Sequence, residues 1–236
     1  MKELVNDILQ GKTLLKRLPQ ESELGRARGG KRNVEASIIA ARSARADSAH
    51  QTTDGARIAQ ENALEQYAKE EGIWIEDFQT RYGEYLDHGA ENIVYWDEKN
   101  PSVVTKVNDF YLHETPLEFF DRLSIHNALF PEAAYTVLGF TRNPLRENAF
   151  SVIIEQPFII GDYGMPYEEV KEHMEKLGFT DEGKTYVNGS YIVEDLHPGN
   201  ILKTPKGNIV VIDEVALLNT PDDDFDGTME YGDIDV

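Results

Sequence analysis

The sequence predicts an α+β fold, with strand-rich and helical stretches following one another without regular β-α-β alternation. Three observations carry that expectation. The apolar period is helical up to Gly72 and then gives way to short β-branched runs. Two such runs, 93–96 (IVYW) and 103–107 (VVTKV), are separated by the turn-rich hexamer DEKNPS. A helix start, Thr115-Pro116-Leu117-Glu118, then follows, with Thr as N-cap, Pro at the first helical position and Glu at the third.

The elements can be justified in order. Residues 1–18 carry Leu4, Ile8, Leu14 and Leu15 at the spacing of a short amphipathic helix. Residues 19–33 are polar and rich in Gly and Arg, with no core-forming pattern; residues 34–48 are Ala-rich and helix-prone, and 49–54 read as a break. Ile58, Ala63, Leu64, Tyr67 and Ala68 have helical spacing, and Ile73, Trp74, Ile75 and Phe78 form a dense apolar patch. The helix that starts at Thr115 is expected to reach Phe130, where Pro131 follows. Segments 135–141 and 150–160 read as strands joined by the polar turn RNPLREN. Residues 167–177 read as a helix with Gly178 beyond it, and 186–193, 201–203 and 208–212 as short strands. The acidic stretch from Pro221 on reads as solvated or disordered. The expected organisation is an N-terminal extension (1–55), helical or disordered, a main domain (56–220) and an acidic tail (221–236).

Charge and composition narrow the partners. The chain has 236 residues and a net charge of −20, divided as +4 over residues 1–60 and −24 over the rest. The main domain is therefore expected to repel nucleic acid and anionic lipid unless metal or counterions intervene; the plainest consequence of the charge is solubility. There is no cysteine, which excludes disulfides, thiolate metal sites and a cysteine nucleophile, and fits a reducing compartment. The opening MKELVNDILQ has no apolar run long enough for a signal peptide or a membrane span, so a soluble, cytoplasmic protein is expected. The basic residues of the extension have three places to go: against the acidic body in cis, against a neighbouring copy in a homo-oligomer, or into solvent.

One stretch asks for more than structure. Residues 195–200, DLHPGN, join two apolar runs. A plain turn has use for Pro-Gly-Asn but none for Asp195. Thirteen residues after Asn200 comes Asp213, at the end of the apolar run 210–212, and upstream Lys106 sits inside an apolar strand. The turn before the 93–96 run contains Gly89, Ala90, Glu91 and Asn92. A lysine or aspartate in an apolar strand costs free energy unless an opposite charge or a metal meets it. Lys, Asp, Asn and Asp in this order are what phosphoryl transfer from ATP requires: a cation on the phosphates, a carboxylate at the attacking hydroxyl, and an amide and a carboxylate for Mg²⁺.

At these residues the sequence resembles the protein-kinase-like superfamily. EDLHPGNIL resembles the kinase catalytic loop, VVIDEV stands where the metal-binding Asp-Phe-Gly segment stands, and DHGAENIVYW followed by VVTKV resembles the Gly-rich loop and the lysine-bearing strand. HNALFP, a strand ending in QPF, and DLHPGN in this order resemble the small Ser/Thr/Tyr kinase domain of bacterial polyvalent proteins of mobile elements, over roughly residues 60–220. The catalytic loop is also similar to that of aminoglycoside-type phosphotransferases. The resemblance implies a kinase-like fold with an antiparallel-sheet N-lobe, ATP and Mg²⁺ as cofactors, and a hydroxyl acceptor on a protein or a small molecule. It implies that Lys106 binds phosphates, Asp195 is the catalytic carboxylate, Asn200 and Asp213 hold Mg²⁺, Gly89 and Ala90 form the phosphate loop, Val94 covers the adenine, and Glu155, Gln156 and Phe158 belong to the interlobe hinge. Pro157 has no N–H, so a hinge donor to adenine falls to Gln156 or Phe158.

The sequence departs from the kinase pattern in places. Val193 and Glu194 stand for the His and Arg of His-Arg-Asp, and Glu214-Val215 for Phe-Gly. Control through a phosphorylated activation loop is therefore not expected. Only 23 residues follow Asp213, so a truncated, minimal C-lobe is expected, and a nucleotide-binding module without transfer activity is the alternative reading. Simpler roles also exist: a snorkelling edge-strand lysine for Lys106, and turn capping for Asp195 and Asn200. Glu118 or Asp121 is expected as the acidic partner of Lys106, although its place in the helix cap explains Glu118 more simply. Glu194, His197 and Glu214 flank the loop and are expected to face the acceptor.

Overall fold

The computed structural model describes residues 53–219. The expected helices at 1–18 and 34–48, the polar stretch at 19–33 and the acidic tail from Pro221 on lie outside the described residues. Helix α1 (Thr53–Glu70) starts inside the break expected at 49–54. It lays Leu64 and Ala68 into the core and leaves Ile58 in solvent. Gln60, buried on the same helix, accepts a hydrogen bond from Leu117 N (2.9 Å), and Arg57 donates to His113 O (3.0 Å), so α1 is tied to the loop before the next long helix.

A short helix α2 (Phe78–Arg81) leads into β1 (Glu84–His88), β2 (Asn92–Trp96) and β3 (Val103–Asn108). Helix α3 (Pro116–Leu129) follows, then β4 (Thr136–Asn143) and β5 (Ala149–Pro157). The five strands form one antiparallel sheet in the order β1-β2-β3-β5-β4. Strand β1 was not legible from the sequence, because all five of its residues are exposed and no apolar alternation marks it. β5 stops at Pro157 rather than Ile160, because its partner strand β3 begins at Val103, directly opposite Pro157.

Directly paired residues share a face of a sheet. One face carries Val137, Phe140, Val152 and Ile154, and packs against Leu64 and Ala68 of α1 and Leu117, Phe120 and Leu123 of α3. The other face carries Ile93, Tyr95, Val107 and Ile153, covered by Ile75 and Phe78. The segment 73–75 hydrogen-bonds to the outer edge of β4, Ile75 N to Phe140 O (2.8 Å) and Phe140 N to Ile73 O (3.1 Å). The approach is so close at Gly139 that a Cβ there would lie 2.2 Å from Ile73 O, which explains the glycine and the register shift beside it.

The start of α3 follows the expected cap: Thr115 Oγ1 accepts from Glu118 N (3.4 Å), and Glu118 reaches back to Glu114 N (2.7 Å). The far end of α3 sends Ile125 into a second core. That core is closed by helix α4 (Tyr167–Lys176) and by the strands β6 (Thr180–Asp181), β7 (Tyr186–Val187), β8 (Tyr191–Glu194), β9 (Ile201–Lys203), β10 (Ile209–Val211) and β11 (Val215–Leu218). Four of them form a sheet ordered β11-β8-β7-β6, and β9 and β10 form a hairpin. The single strand expected at 186–193 is two strands, because Asn188 Oδ1 accepts from Ser190 N and Tyr191 N (2.9 and 2.8 Å) and turns the chain between them. No helix among the described residues is long and apolar enough to cross a membrane.

Candidate active site

The loops at the ends of β8 and β10 bring the predicted residues to the sheet. Asp195 follows β8 directly, with φ +58, a left-handed conformation that Asp adopts more readily than most residues. The loop then closes on itself. Asn200 Nδ2 donates to Asp195 O (2.9 Å) and to Asp195 Oδ2 (3.3 Å), and Asn200 N donates to His197 O (2.9 Å). Asn200 O in turn accepts from Ile212 N (2.9 Å), which fixes the 195–200 loop to the residue before Asp213.

Asp213 lies between β10 and β11, and its carboxylate joins the two halves of the molecule. Its Oδ2 is 3.1 Å from Lys106 Nζ, and its Oδ1 is 3.3 Å from the Tyr135 hydroxyl. The lysine side chain is buried and the aspartate half exposed, so the pair opens towards solvent on the aspartate side. Lys106 also donates to Tyr135 Oη (3.2 Å). Tyr135 Oη donates to Ile212 O (2.8 Å). Burial first, then the charges of Asp213 and Glu214, push the Tyr135 hydroxyl well above its ordinary pKa, so it stays a neutral donor. Gln156 completes this support: its buried amide donates to Ile212 O (2.8 Å) and Ala133 O (2.9 Å).

The sequence reading did not find Tyr135 or the side-chain role of Gln156. Both are apolar-strand neighbours of the site whose polar ends reach a backbone carbonyl far away in sequence. It also misplaced Glu214. Expected to face an acceptor, this residue has a side chain with no exposure and binds His126 of α3, whose Nδ1 lies 2.8 Å from each carboxylate oxygen. A carboxylate leaves water at a large cost unless it finds such a partner. Glu118 does not serve Lys106 either. Its carboxylate is committed to Glu114 N and to Arg122 (2.6 Å). Glu194 accepts from Thr185 Oγ1 (3.1 Å). His197 is exposed and its Nδ1 caps Gly199 N (2.9 Å); a Cβ on Gly199 would lie 2.8 Å from its ring, so glycine makes room for the cap.

Gly89, Ala90 and Glu91 are the whole of the loop between β1 and β2. Gly89 N donates to Asn92 O (2.9 Å), and a Cβ at Gly89 would meet nothing within 4 Å. Val94 pairs with Lys106 across β2 and β3, and therefore shares its face. At the hinge, Phe158 N donates to Ser102 O (2.8 Å). Alternation along an antiparallel pair then turns Gln156 N towards β3 as well, while the Pro157 position, which has no N–H, faces away from it. Glu155 pairs with Thr105 on β3 and Thr136 on β4.

Among the described residues no three His, Asp or Glu side chains gather as a ready cation cage. What Asn200 and Asp213 offer is an amide oxygen and a half-exposed carboxylate. Two hard oxygen donors, completed by phosphate oxygens and water, are the donor set that Mg²⁺ takes, so these residues fit that ion.

An antiparallel five-stranded sheet with the helices α1 and α3 on one face, and a buried lysine joined to an aspartate on the facing unit, is compatible with a protein-kinase-like domain. Over residues 57–220 the chain matches the family described as Serine/Threonine/Tyrosine Kinase found in polyvalent proteins, and it belongs to that family. No curated protein and no solved structure was found to be similar to it.

Proposed function

We propose that the protein binds Mg-ATP between the five-stranded sheet and the β8–β11 unit, and transfers the γ-phosphoryl group to a Ser, Thr or Tyr hydroxyl. The observation that carries this reading is the Lys106–Asp213 pair at 3.1 Å, next to an exposed loop in which Asn200 holds Asp195. Lys106 Nζ meets phosphate oxygens while Tyr135 keeps it in place. Asn200 and Asp213 hold Mg²⁺, which supplies positive charge to the phosphates. Asp195 accepts the hydrogen bond of the acceptor hydroxyl and takes its proton. The hydroxyl oxygen forms its bond to the γ-phosphorus as the bond to the ADP oxygen breaks. Val94 lies over the adenine. With Phe158 N held by Ser102, the reading gives the adenine-facing acceptor to Pro157 O and the donor to Ile159 N, which makes no hydrogen bond to the described backbone. This assignment replaces Gln156 and Phe158 as hinge donors.

Thermal unfolding with and without Mg-ATP tests the reading. At a hundredfold excess over Kd, binding adds about 2.7 kcal/mol, which raises Tm by roughly 5–11 °C for a domain of this size. Asp213→Ala is expected to abolish the rise. No rise at millimolar Mg-ATP overturns the reading.

A further inference from the structure

Between β5 and α4 the chain runs as a strap, residues 158–166, along β9. Asp162 and Lys203 exchange both backbone hydrogen bonds (2.9 Å each), and a Cβ at Gly161 would lie 2.8 Å from Lys203 O, so the strap is pressed against β9 there. Gly164 N donates to Pro198 O (3.4 Å), which sets the strap beside the loop that carries Asp195. The large side chains of the strap stay in solvent: Phe158 is 43% exposed, Ile160 72% and Tyr163 62%. The Phe158 ring lies 6.3 Å from Trp96 of β2, so the apolar ledge starts at the five-stranded sheet. One exposed apolar residue needs no explanation, but three within six residues, next to a half-exposed carboxylate, mark an interaction surface.

The charge of this surface is one-sided. Residues 158–169 and 194–202 hold Asp162, Glu168, Glu169, Glu194 and Asp195 and no lysine or arginine. Asp162 and Glu168 are exposed, while Glu169 is paired with Lys203 (2.5 Å). A complementary occupant therefore combines apolar side chains with positive charge. The N-terminal extension offers three basic or Ser-bearing stretches. Residues 26–32 (RARGGKR) have charge but no hydroxyl and no large apolar side chain. Residues 34–48 have hydroxyls and two isoleucines, but Glu35 and Asp47 cancel Arg42 and Arg45. Residues 12–18 (KTLLKRL) alone among these unite Lys12, Lys16 and Arg17 with three leucines and a hydroxyl, on Thr13, without an acid. Thr13 lies forty residues before Thr53, where α1 begins. At up to about 3.3 Å per residue, that tether crosses a domain of this size.

We propose that the strap is the docking surface for residues 12–18, from the same chain or a second copy, and that Thr13 is the acceptor hydroxyl. Leu14 and Leu15 cover Ile160 and Tyr163, and the three cations meet the carboxylates around Asp195. The Thr13 oxygen bonds to the γ-phosphorus as the bond to the ADP oxygen breaks, and its proton passes to Asp195. The transfer step rests on the function proposed above; the docking does not.

Two measurements on the full chain test this. After incubation with Mg²⁺ and γ-labelled ATP, digestion maps the label. It is expected on Thr13, to vanish in Thr13→Ala, and to fall about tenfold when Ile160→Ser and Tyr163→Ser are combined, from the worth of burying one large apolar side chain. Both replaced side chains are exposed, so that variant is expected to keep the parent's unfolding midpoint and to bind Mg-ATP within twofold of it. Separately, a peptide of residues 9–21 is titrated into the chain carrying Leu14→Ser and Leu15→Ser, which frees the strap. Binding is expected to weaken with salt and by about tenfold when the two strap substitutions are added. Peptide binding that ignores Ile160 and Tyr163 overturns the docking surface. Label confined to other hydroxyls, such as Ser37, Ser43 or Ser48, overturns the inference and leaves phosphoryl transfer intact. Strap-dependent peptide binding with no label on any residue supports the docking surface, and refutes both Thr13 as acceptor and the transfer.

Discussion

Replacing Glu214 with Gln is predicted to unfold much of what holds Asp213 in place. The His126 ring has two neighbours that can only accept: the Glu214 carboxylate at 2.8 Å from Nδ1 and Ala133 O at 3.0 Å from Nε2. Both ring nitrogens therefore carry protons, and the pair is an imidazolium and a carboxylate. Both side chains are buried, at 5% and 0% exposure. Burial pulls the His126 pKa down, but the Glu214 charge and hydrogen bond, with the Ala133 carbonyl, outweigh it and leave the value raised. Removing one member of a buried pair costs about 3–5 kcal/mol, which is roughly 6–20 °C in Tm for a domain of this size. Urea unfolding of the parent and of Glu214→Gln measures the loss. The pH dependence follows from the direction of the shift. The folded state binds the His126 proton more tightly than the unfolded chain, whose histidines titrate near about 6.5. The pair's contribution is thus complete below that value and is lost as pH rises through the raised folded pKa. This decline is expected to be absent in Glu214→Gln. The double variant His126→Leu with Glu214→Leu is expected to recover much of the loss, since it strands no charge. A loss below about 1 kcal/mol in Glu214→Gln, with the parent's pH slope retained, refutes the reasoning.

Gln156→Leu is predicted to cost about 1–3 kcal/mol, read by urea unfolding, because Ala133 O and Ile212 O lose their shared buried donor. Gly139→Ala is predicted to cost more than the few tenths usual for exposed sites, because its Cβ would meet a backbone carbonyl at 2.2 Å that cannot move without breaking the 73–75 pairing; a thermal melt unchanged from the parent would contradict this. Tyr135→Phe is predicted to lower Mg-ATP affinity in a calorimetric titration more than it lowers stability, because Lys106 and Asp213 both lose a fixed neighbour while the ring stays.

The sequence showed most clearly what is local. The Thr115–Glu118 cap, the helix ends near Phe130 and Gly178, and the β2, β3, β4 and β5 runs are set by neighbours within a few residues. The closeness of Asp195 to Asn200, and of the Lys106 strand to Asp213, could be expected from the order of the motifs. Partners distant in sequence could not. Glu214 and His126 are 88 residues apart, and nothing in either segment reveals that one buries the other's charge. Arg122 likewise draws Glu118 away from Lys106, a competition visible only once α3 is built. Strand β1 left no mark because both its faces are wet. A buried unpartnered histidine such as His113 reads in sequence as any other histidine.

The central claim is that Asp195 serves a phosphoryl transfer from Mg-ATP. Incubation with γ-labelled ATP, for the parent and for Asp195→Asn, tests it most directly. Asn is suited to the left-handed backbone of this position and keeps an oxygen for Asn200, so the substitution removes the carboxylate and leaves the loop. The account predicts label on protein hydroxyls with the parent, its loss in Asp195→Asn, and Mg-ATP affinity within a few-fold between the two. Tight Mg-ATP binding with no transfer to any protein by the parent, or equal transfer by Asp195→Asn, would contradict it.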